Sequence, residues 1–264
     1  MSPEVIAIPA IYAGFAGLEI ARTRFFAKPR QTRDDIVVEV GSSIALLVLV
    51  QPAVILAALA LSAWALPGAK DMLIGLPLVA KVALFLVLDD MLQYWWHRAS
   101  HNVPWLYNLH RAHHSGQYMS VRIVYRNNLF YYAMMPSLWC TGVLLYMGLT
   151  PVYVVYVIVK QTVIIAAHCD VRWDAPLYRI KGLSPVMWMV ERLISTPATH
   201  SAHHGQHKAD GVTNYKGNFG NLLFLWDVLF GTAKITRAYP AAIGIENMEP
   251  ISAEALLLWP LIRR

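Results

Sequence analysis

The sequence predicts an all-α integral membrane protein with about four transmembrane helices and a helical cap at one membrane face. Of its 264 residues, 57% are hydrophobic and only 14% are charged, whereas about 25% of the residues in a typical soluble domain are charged. Its apolar stretches are long enough, or nearly so, to cross a bilayer. The formal charge of +6 therefore indicates a basic membrane face and not a nucleic-acid partner. We expect a single membrane domain over residues 1–264.

The first half of the chain contains three apolar stretches. Residues 5–18 carry no charge but number only 14, so they either span the bilayer with help from their flanks or lie partly in the interface. Residues 40–69 carry no charge over 30 positions and include Pro52, which is enough for one span and its turn. Residues 72–96 form another candidate span, which one lysine and a pair of aspartates interrupt.

The longest apolar stretch predicts a helical hairpin. Residues 127–159 run for 33 positions without a charge. A single helix of that length would reach about 50 Å, well beyond a hydrocarbon core of about 30 Å. Gly148 and Pro151 supply a break inside the stretch. We therefore predict one span near residues 128–147 and a return span from residue 152 to His168.

The basic residues orient the chain in the membrane. Threading the spans places residues 22–39, residues 97–126 and everything from 168 onward on one face, which carries 19 of the 22 lysines and arginines. The positive-inside rule makes this face cytoplasmic, and all ten histidines fall on it. Residues 183–196 and 221–230 suit interfacial helices of the cap. The compact length and the Ala-, Val- and Leu-rich spans favour a bacterial inner membrane over the endoplasmic reticulum.

The histidines of the chain are confined to three short stretches of sequence. Two stretches share the spacing His-x-x-His-His, and one of these follows a pair of histidines four positions apart. These spacings direct several imidazoles to one helical face. Imidazole binds Zn, Cu, Fe and Ni, and eight or more imidazoles are too many for one ion of about four to six ligands. We therefore predict a site for two metal ions. Its ligands are His97, His101, His110, His113, His114, His168, His200, His203 and His204.

The sequence leaves His207 open as a further metal ligand. It follows His204 by three positions and could extend the same helical face. The intervening Gly205 is a possible helix end. His207 could equally be a histidine of a surface loop that binds no metal.

Two aspartates precede the first histidine on a polar stripe. Asp89 and Asp90 lie eight and seven positions before His97, and ligand histidines commonly donate their second ring N–H to a carboxylate. We expect one of these aspartates to hold a histidine ring in this way. The alternative is that both aspartates are simply the wet end of the span.

The residues of the motifs and the order of the motifs along the chain are specific. They are Tyr94-Trp-Trp-His-Arg98, then Leu109-His-Arg-Ala-His-His-Ser115, then His200 with His203 and His204, then Asn218-Phe-Gly220 and Leu225-Trp-Asp-Val-Leu-Phe-Gly231. Together, over residues of about 80–232, they resemble the fatty acid hydroxylase/sterol desaturase superfamily.

The resemblance implies a cytosolic centre of two iron ions held by the nine histidines. It also implies O2 as co-substrate and hydroxylation, or sometimes desaturation, of a lipid. By position, Asp170, Asn218 and Asp227 would support the ligands. The family often has Asn where this chain has Asp170.

The resemblance requires an external source of electrons. The chain carries no flavin, haem or iron–sulfur motif, and its two cysteines cannot hold a cluster. We therefore expect a separate electron-transfer reductase of the ferredoxin or cytochrome type, in addition to the lipid substrate.

Two other functions compete with a lipid hydroxylase. A non-enzymatic membrane metal or haem carrier would use only two histidines per haem, which leaves most of these unexplained. A zinc-dependent membrane hydrolase usually keeps a glutamate beside the histidine pair, as in His-Glu-x-x-His. In this chain Arg98, Arg111 and Ser201 follow the first histidine of each motif, which argues against the hydrolase.

Overall fold

The computed structural model describes residues 3–263, so positions 1, 2 and 264 of the predicted domain lie outside the described part. Over the described residues the chain forms α-helices, short π- and 3₁₀-helical turns and no β-strand, which confirms the all-α prediction. The helices are α1 Pro3–Arg22, α2 Arg33–Ile44, α3 Gln51–Ala65, α4 Leu78–Phe85, α5 Leu92–Asn102, α6 Pro104–His114, α7 Leu129–Ala133, α8 Pro136–Leu144, α9 Thr150–His168, α10 Ala175–Tyr178, α11 Ser184–Leu193, α12 Pro197–His203, α13 Leu225–Leu229 and α14 Ala253–Leu258.

Three helical segments are long and apolar enough to cross a membrane, namely Pro3–Arg22, Arg33–Ala65 and Pro136–His168. Large apolar side chains on these helices and on α4 face outward: Trp64 is 82% exposed, Val79 81% and Val48 73%. Exposed apolar surface of this extent is typical of helices that lipid covers.

The predicted break in the long apolar stretch lies at Gly148. Its φ of 95° interrupts the segment Pro136–His168, so that α8 and α9 are separate helices. Only glycine adopts this φ at little cost. A Cβ at this position would also lie 2.6 Å from Ile74 Cγ1. The loop before α4 therefore closes tightly over the turn.

The helix packing leaves a gap on one side of the bundle. α1 packs against α9, α3 packs against α8, and the C-terminal end of α9 meets α12. α4 continues through a π-helical turn, Leu86–Met91, into α5, and this continuous helix carries Lys81, Asp89 and Asp90. The cavity described below lies between α1, α3 and α9.

Local sequence signals define where two of the histidine-bearing helices, α6 and α12, begin. α6 begins with Pro104 at its first position, where the missing N–H costs no hydrogen bond. Thr196 caps α12 by accepting a hydrogen bond from the Thr199 N–H, and the Thr199 hydroxyl accepts one in return from the Thr196 N–H. Pro197 then occupies the first turn. Both helices therefore start at defined residues, which sets the direction of each histidine.

Candidate metal centre

Nine of the ten histidines meet in two adjacent groups of buried side chains. Within each group, the possible ligand atoms all lie within 4.8 Å of one another. The first group consists of His97, His101, His110, His114 and His203, and the second of His113, His168, His200 and His204. These are the nine ligands that the sequence predicts, and the structure brings them together from four helices.

Each His-x-x-His-His motif contributes to both groups. Adjacent residues on an α-helix point about 100° apart. As a result His113 joins the second group and His114 the first, and likewise His203 joins the first and His204 the second. The spacing predicts that the three imidazoles of each triplet share one helical face. The structure instead divides each triplet between the two groups, so that each motif bridges them.

Backbone carbonyls set the orientation of four of the nine rings. A carbonyl oxygen only accepts hydrogen bonds, so the Nδ1 atom that contacts it must carry the proton. The Nε2 atom of the neutral ring then presents a lone pair to the interior of the site. Nδ1 donates from His97 to Phe219 O at 2.7 Å, from His113 to Arg126 O at 3.2 Å, from His168 to Ile164 O at 2.8 Å and from His203 to Gly217 O at 2.7 Å.

The inward-facing nitrogens lie close to one another. His203 Nε2 lies 3.0 Å from His97 Nε2, and His168 Nε2 lies 3.3 Å from His113 Nε2. Burial lowers the pKa of His203 and His113 well below 6.5. At neutral pH these rings are uncharged, so pairs of lone pairs face each other without a proton between them. A bound metal cation relieves this repulsion, and a set of neutral imidazoles suits Zn, Cu, Fe or Ni.

The hydrogen bonds of the two aspartates of the polar stripe differ from the expectation. Asp89 Oδ2 lies 2.5 Å from Lys160 Nζ and accepts a hydrogen bond from the Tyr156 hydroxyl at 2.7 Å. Asp90 accepts from the backbone N–H of Leu222 and Leu223 and from the Trp226 indole. The expected histidine contact of Asp89 or Asp90 is therefore wrong. Two side chains of α9 satisfy Asp89 instead, and α13 with the loop before it satisfies Asp90.

The predicted supporting residues Asn218 and Asp227 act on the loop that anchors His97. Asp227 accepts hydrogen bonds from the N–H groups of Phe219 and Gly220 at 2.8 and 2.6 Å. Asn218 donates from its side chain to Thr199 O at 2.9 Å and has a positive φ of 55°. The two residues thereby fix the Phe219 carbonyl to which His97 donates.

Asp170 is partly exposed and joins a network with two buried side chains at the end of α9. Lys28 Nζ lies 2.5 Å from Asp170 Oδ2 and 3.6 Å from Glu19 Oε2. Glu19 is fully buried and accepts hydrogen bonds from the Asp170 N–H and the Ser120 hydroxyl. This network ties α1 to the segment that follows His168. Glu19 directly follows the apolar stretch of residues 5–18, and nothing else in the sequence singles it out.

A second residue that the sequence did not single out is Asn127. Its Oδ1 lies 2.9 Å from His110 Nδ1, and its Nδ2 donates to the Tyr132 hydroxyl at 3.0 Å. A lone asparagine in a loop gives no sequence signal for such a role.

The structure places His207 outside both groups. Its side chain is 48% exposed, and its Nδ1 lies 3.0 Å from Glu246 Oε1. Of the two alternatives for this residue, the surface histidine agrees with the structure.

Two neighbouring cavities, which share five lining residues, lie between the apolar helices and the histidines. The inner chamber, of about 110 Å³, ends on His97, His110, His113 and His168. The outer chamber, of about 680 Å³, lies between α1, α3 and α9. Residues that line both chambers form the neck between them, and they are Gln51, Tyr125, Tyr153, Val157 and Gln161.

Comparison with known proteins supports the resemblance that the motifs carry. A family model described as Fatty acid hydroxylase matches residues 82–232, which include all nine clustered histidines. No solved structure matches the chain significantly.

The names of the curated relatives specify monooxygenases or hydroxylases of lipids. Alkylglycerol monooxygenase from Danio rerio is 28% identical over 144 residues, covering 54% of this chain and 28% of the relative. The Homo sapiens protein of the same name is 26% identical over 169 residues, covering 62% of this chain and 34% of the relative. Ornithine lipid hydroxylase OlsE from Rhizobium tropici is 30% identical over 162 residues, covering 59% and 42%. The chain thus spans less than half the length of these relatives.

Proposed function

The chain belongs to the fatty acid hydroxylase family, and from that premise we propose that it is an O2-dependent lipid hydroxylase with a histidine-ligated pair of iron ions. The observation that carries this proposal is the division of nine buried histidines into groups of five and four. Relatives whose names specify a monooxygenase or a hydroxylase of lipids support the reaction type.

The first group would hold one iron ion and the second group the other. The anchored rings keep their Nε2 atoms directed inward, and burial keeps them neutral and therefore free to bind metal. When bound, the iron ions supply the O2 activation that an unactivated C–H bond requires. Nine neutral imidazoles leave more positive charge at such a centre than the carboxylates of soluble di-iron bundles do.

The overall reaction breaks a C–H bond of the lipid and forms a C–O bond. One oxygen atom of O2 enters the alcohol and the other leaves as water, with two electrons and two protons consumed. The described residues supply no redox group for these electrons, and Cys140 and Cys169 are too few for a cluster. We propose a separate reductase of the ferredoxin or cytochrome type as the donor. A desaturase that removes a second hydrogen is the variant reaction.

For the membrane arrangement we propose four passages within one domain over residues 1–264. Three passages are the apolar segments, and the fourth would be the continuous helix of residues 78–102. Its Asp89 is neutralised by Lys160. Paired charges of this kind are tolerated inside a membrane. The excess of basic residues on the histidine side supports a cytoplasmic site. A bacterial inner membrane is the proposed location, and one relative is bacterial.

Comparative lipid analysis of a bacterial host tests the proposed function. We expect a hydroxylated lipid in cells that express the chain, with label incorporated from ¹⁸O2, and no such product with His113→Ala. The matched control is His207→Ala, which removes a histidine outside both groups and should retain the product. A product that persists in His113→Ala would overturn the metal assignment. The absence of any oxidised lipid with the unaltered, iron-loaded chain would favour a non-enzymatic metal or haem carrier.

A further inference from the structure

A third cavity, which we call the surface cavity, also ends on the histidines. It has a volume of about 230 Å³ and reaches His101 and His114, which both belong to the first group. Its other lining residues come from α6 and from the chain after α12. Of the described residues that line it, none lies in the three apolar segments and none lines the inner or outer chamber. The inner chamber ends on other histidines, namely His97, His110, His113 and His168. The candidate metal centre is therefore approached by separate cavities.

The lining of the surface cavity is polar from its mouth to the histidines. Tyr107 and Gln206 are partly buried, whereas Tyr215, Glu246 and Asn247 are exposed. The three exposed side chains place the mouth of the cavity at the protein surface. A single water molecule needs only about 10–15 Å³ of such volume together with polar partners. The surface cavity is therefore large and polar enough to hold several water molecules.

Backbone hydrogen bonds hold one wall of the surface cavity in place. The Gly244 N–H donates to His204 O at 3.0 Å, and the Gln206 N–H donates to Ala242 O at 2.9 Å. These bonds attach residues 242–244 to the end of α12. The wall is therefore a fixed part of the fold beside the first histidine group.

The outer chamber, by contrast, suits lipid and not water. Apart from the residues that it shares with the inner chamber, its lining consists mainly of apolar side chains, among them Ile8, Leu47 and Ile55. It lies between α1 and α3, and both belong to segments that are long and apolar enough to cross a membrane. A proton carrier that entered this space would lose its hydration, which is costly.

The proposed reaction needs an exchange of protons and water with the solvent. Each lipid oxidised consumes two protons and releases one water molecule. A lipid that fills the outer chamber during the reaction leaves no aqueous route on that side. The surface cavity supplies such a route from the opposite set of lining residues, and it ends on two candidate metal ligands.

Resting on the proposed lipid hydroxylase function, we infer that the surface cavity is an aqueous port to the first histidine group. Protons enter and water leaves through this port, whereas the lipid approaches through the outer chamber. Tyr107 lines the port, and its ring centroid lies 5.9 Å from that of His101. Its hydroxyl group can donate a hydrogen bond to one water molecule while it accepts one from another. A chain of water molecules that carries protons requires both.

Alkylation of the metal-free full chain in nanodiscs tests the port without turnover. The probe is iodoacetate, which forms an N–C bond with a neutral imidazole and releases iodide. Its negative charge keeps it out of apolar space. We expect peptide mass spectrometry to find His101 and His114 alkylated severalfold faster than His110 and His113.

Two tryptophan variants locate the route that the probe takes. Gln206→Trp narrows the surface cavity and should slow the alkylation of His101 and His114 severalfold. Lys208→Trp is the matched control, because Lys208 is exposed and lines none of the three cavities, and it should leave both rates unchanged. Ile55→Trp narrows the outer chamber and should also leave them unchanged.

Other labelling results would overturn the inference. They are equal alkylation of His101, His114, His110 and His113, or an unchanged rate at His101 and His114 in Gln206→Trp. If that variant does not fold, Glu246→Trp narrows the mouth from an exposed position and should slow the same two alkylations.

A turnover assay separates this inference from the proposed function. With iron, reductant and the lipid extract of the host, Gln206→Trp should lower the maximal rate of lipid oxidation severalfold, and Lys208→Trp should not. The lipid concentration at half-maximal rate should rise in Ile55→Trp. An unchanged rate in Gln206→Trp, in which alkylation of His101 is slowed, contradicts the inference alone. Selective alkylation without any lipid oxidation by the unaltered chain contradicts the proposed function alone.

Discussion

His203 Nε2 lies 3.0 Å from His97 Nε2, although the two residues are 106 positions apart in the sequence. Both rings donate their Nδ1–H to backbone carbonyls of one loop, those of Gly217 and Phe219. This loop therefore orients one histidine ring on each of two helices, α5 and α12. Asp227 supports the loop by accepting hydrogen bonds from its backbone N–H groups.

Replacing Asp227 should disturb metal binding through that loop. In Asp227→Ala the N–H groups of Phe219 and Gly220 lose their acceptor, so the carbonyl that holds His97 is no longer fixed. Iron affinity should fall about 10- to 100-fold, as expected when the support of a ligand is removed. Chelator competition measures this change. The exposed Asp34 provides the control Asp34→Ala, and equal iron affinity in both variants would contradict the role of Asp227.

Glu19 should matter for stability because its carboxylate joins three segments of the chain. In Glu19→Gln the carboxylate that accepts from Ser120 and the Asp170 N–H is replaced by an amide, and Lys28 loses a buried negative neighbour. We expect a loss of about 1–3 kcal/mol in the free energy of unfolding. Thermal unfolding in detergent checks it against Glu254→Gln, a change at an exposed position. A melting temperature equal to that of the control would show that the network is dispensable.

Gly148 should tolerate no side chain. Gly148→Ala forces a Cβ to within 2.6 Å of Ile74 Cγ1 at a φ of 95°. Strain of this kind costs about 1–3 kcal/mol, so the variant should melt at a lower temperature. The control is Gly182→Ala, where a Cβ would meet no atom within 4 Å. Equal melting temperatures for the two variants would contradict the close packing of this turn.

The metal-free protein should lose stability in acid. Burial lowers the pKa of His110, His114, His200 and His204 well below 6.5. In the unfolded chain these rings take up protons as the pH falls below about 6.5, whereas in the folded chain they do so only at lower pH. The unfolded state then binds more protons, so stability is retained above this pH and is lost progressively below it. Melting temperatures of chelator-treated protein between pH 8 and 5 measure the effect, and a flat profile would contradict it.

The sequence predicted the helical class, the hairpin break and the set of clustered histidines, because each leaves a local pattern. Charge-free length predicts a span, and i, i+3, i+4 spacing predicts side chains on nearby faces of a helix. The contacts of Asp89 and Asp90 were not predictable in the same way. Their partners Lys160 and Trp226 are more than 70 residues away, and only the packing of α9 and α13 brings them near.

The division of the histidines into two groups also required the structure. The angle of about 100° between adjacent helical residues separates His113 from His114, but the crossing of four helices decides which group each one enters. The backbone carbonyls that hold the rings carry no side-chain signal in the sequence. Asn127 and Glu19 belong to the same category, since their roles depend on contacts across the fold.

The iron content of the purified chain tests the central claim most directly. After expression with ample iron, elemental analysis should find about two iron ions per chain, with a marked loss in His203→Ala and none in His207→Ala. This result would agree with groups of five and four histidines that each hold one ion. Iron-free protein, or equal iron in His203→Ala and the unaltered chain, would contradict the account.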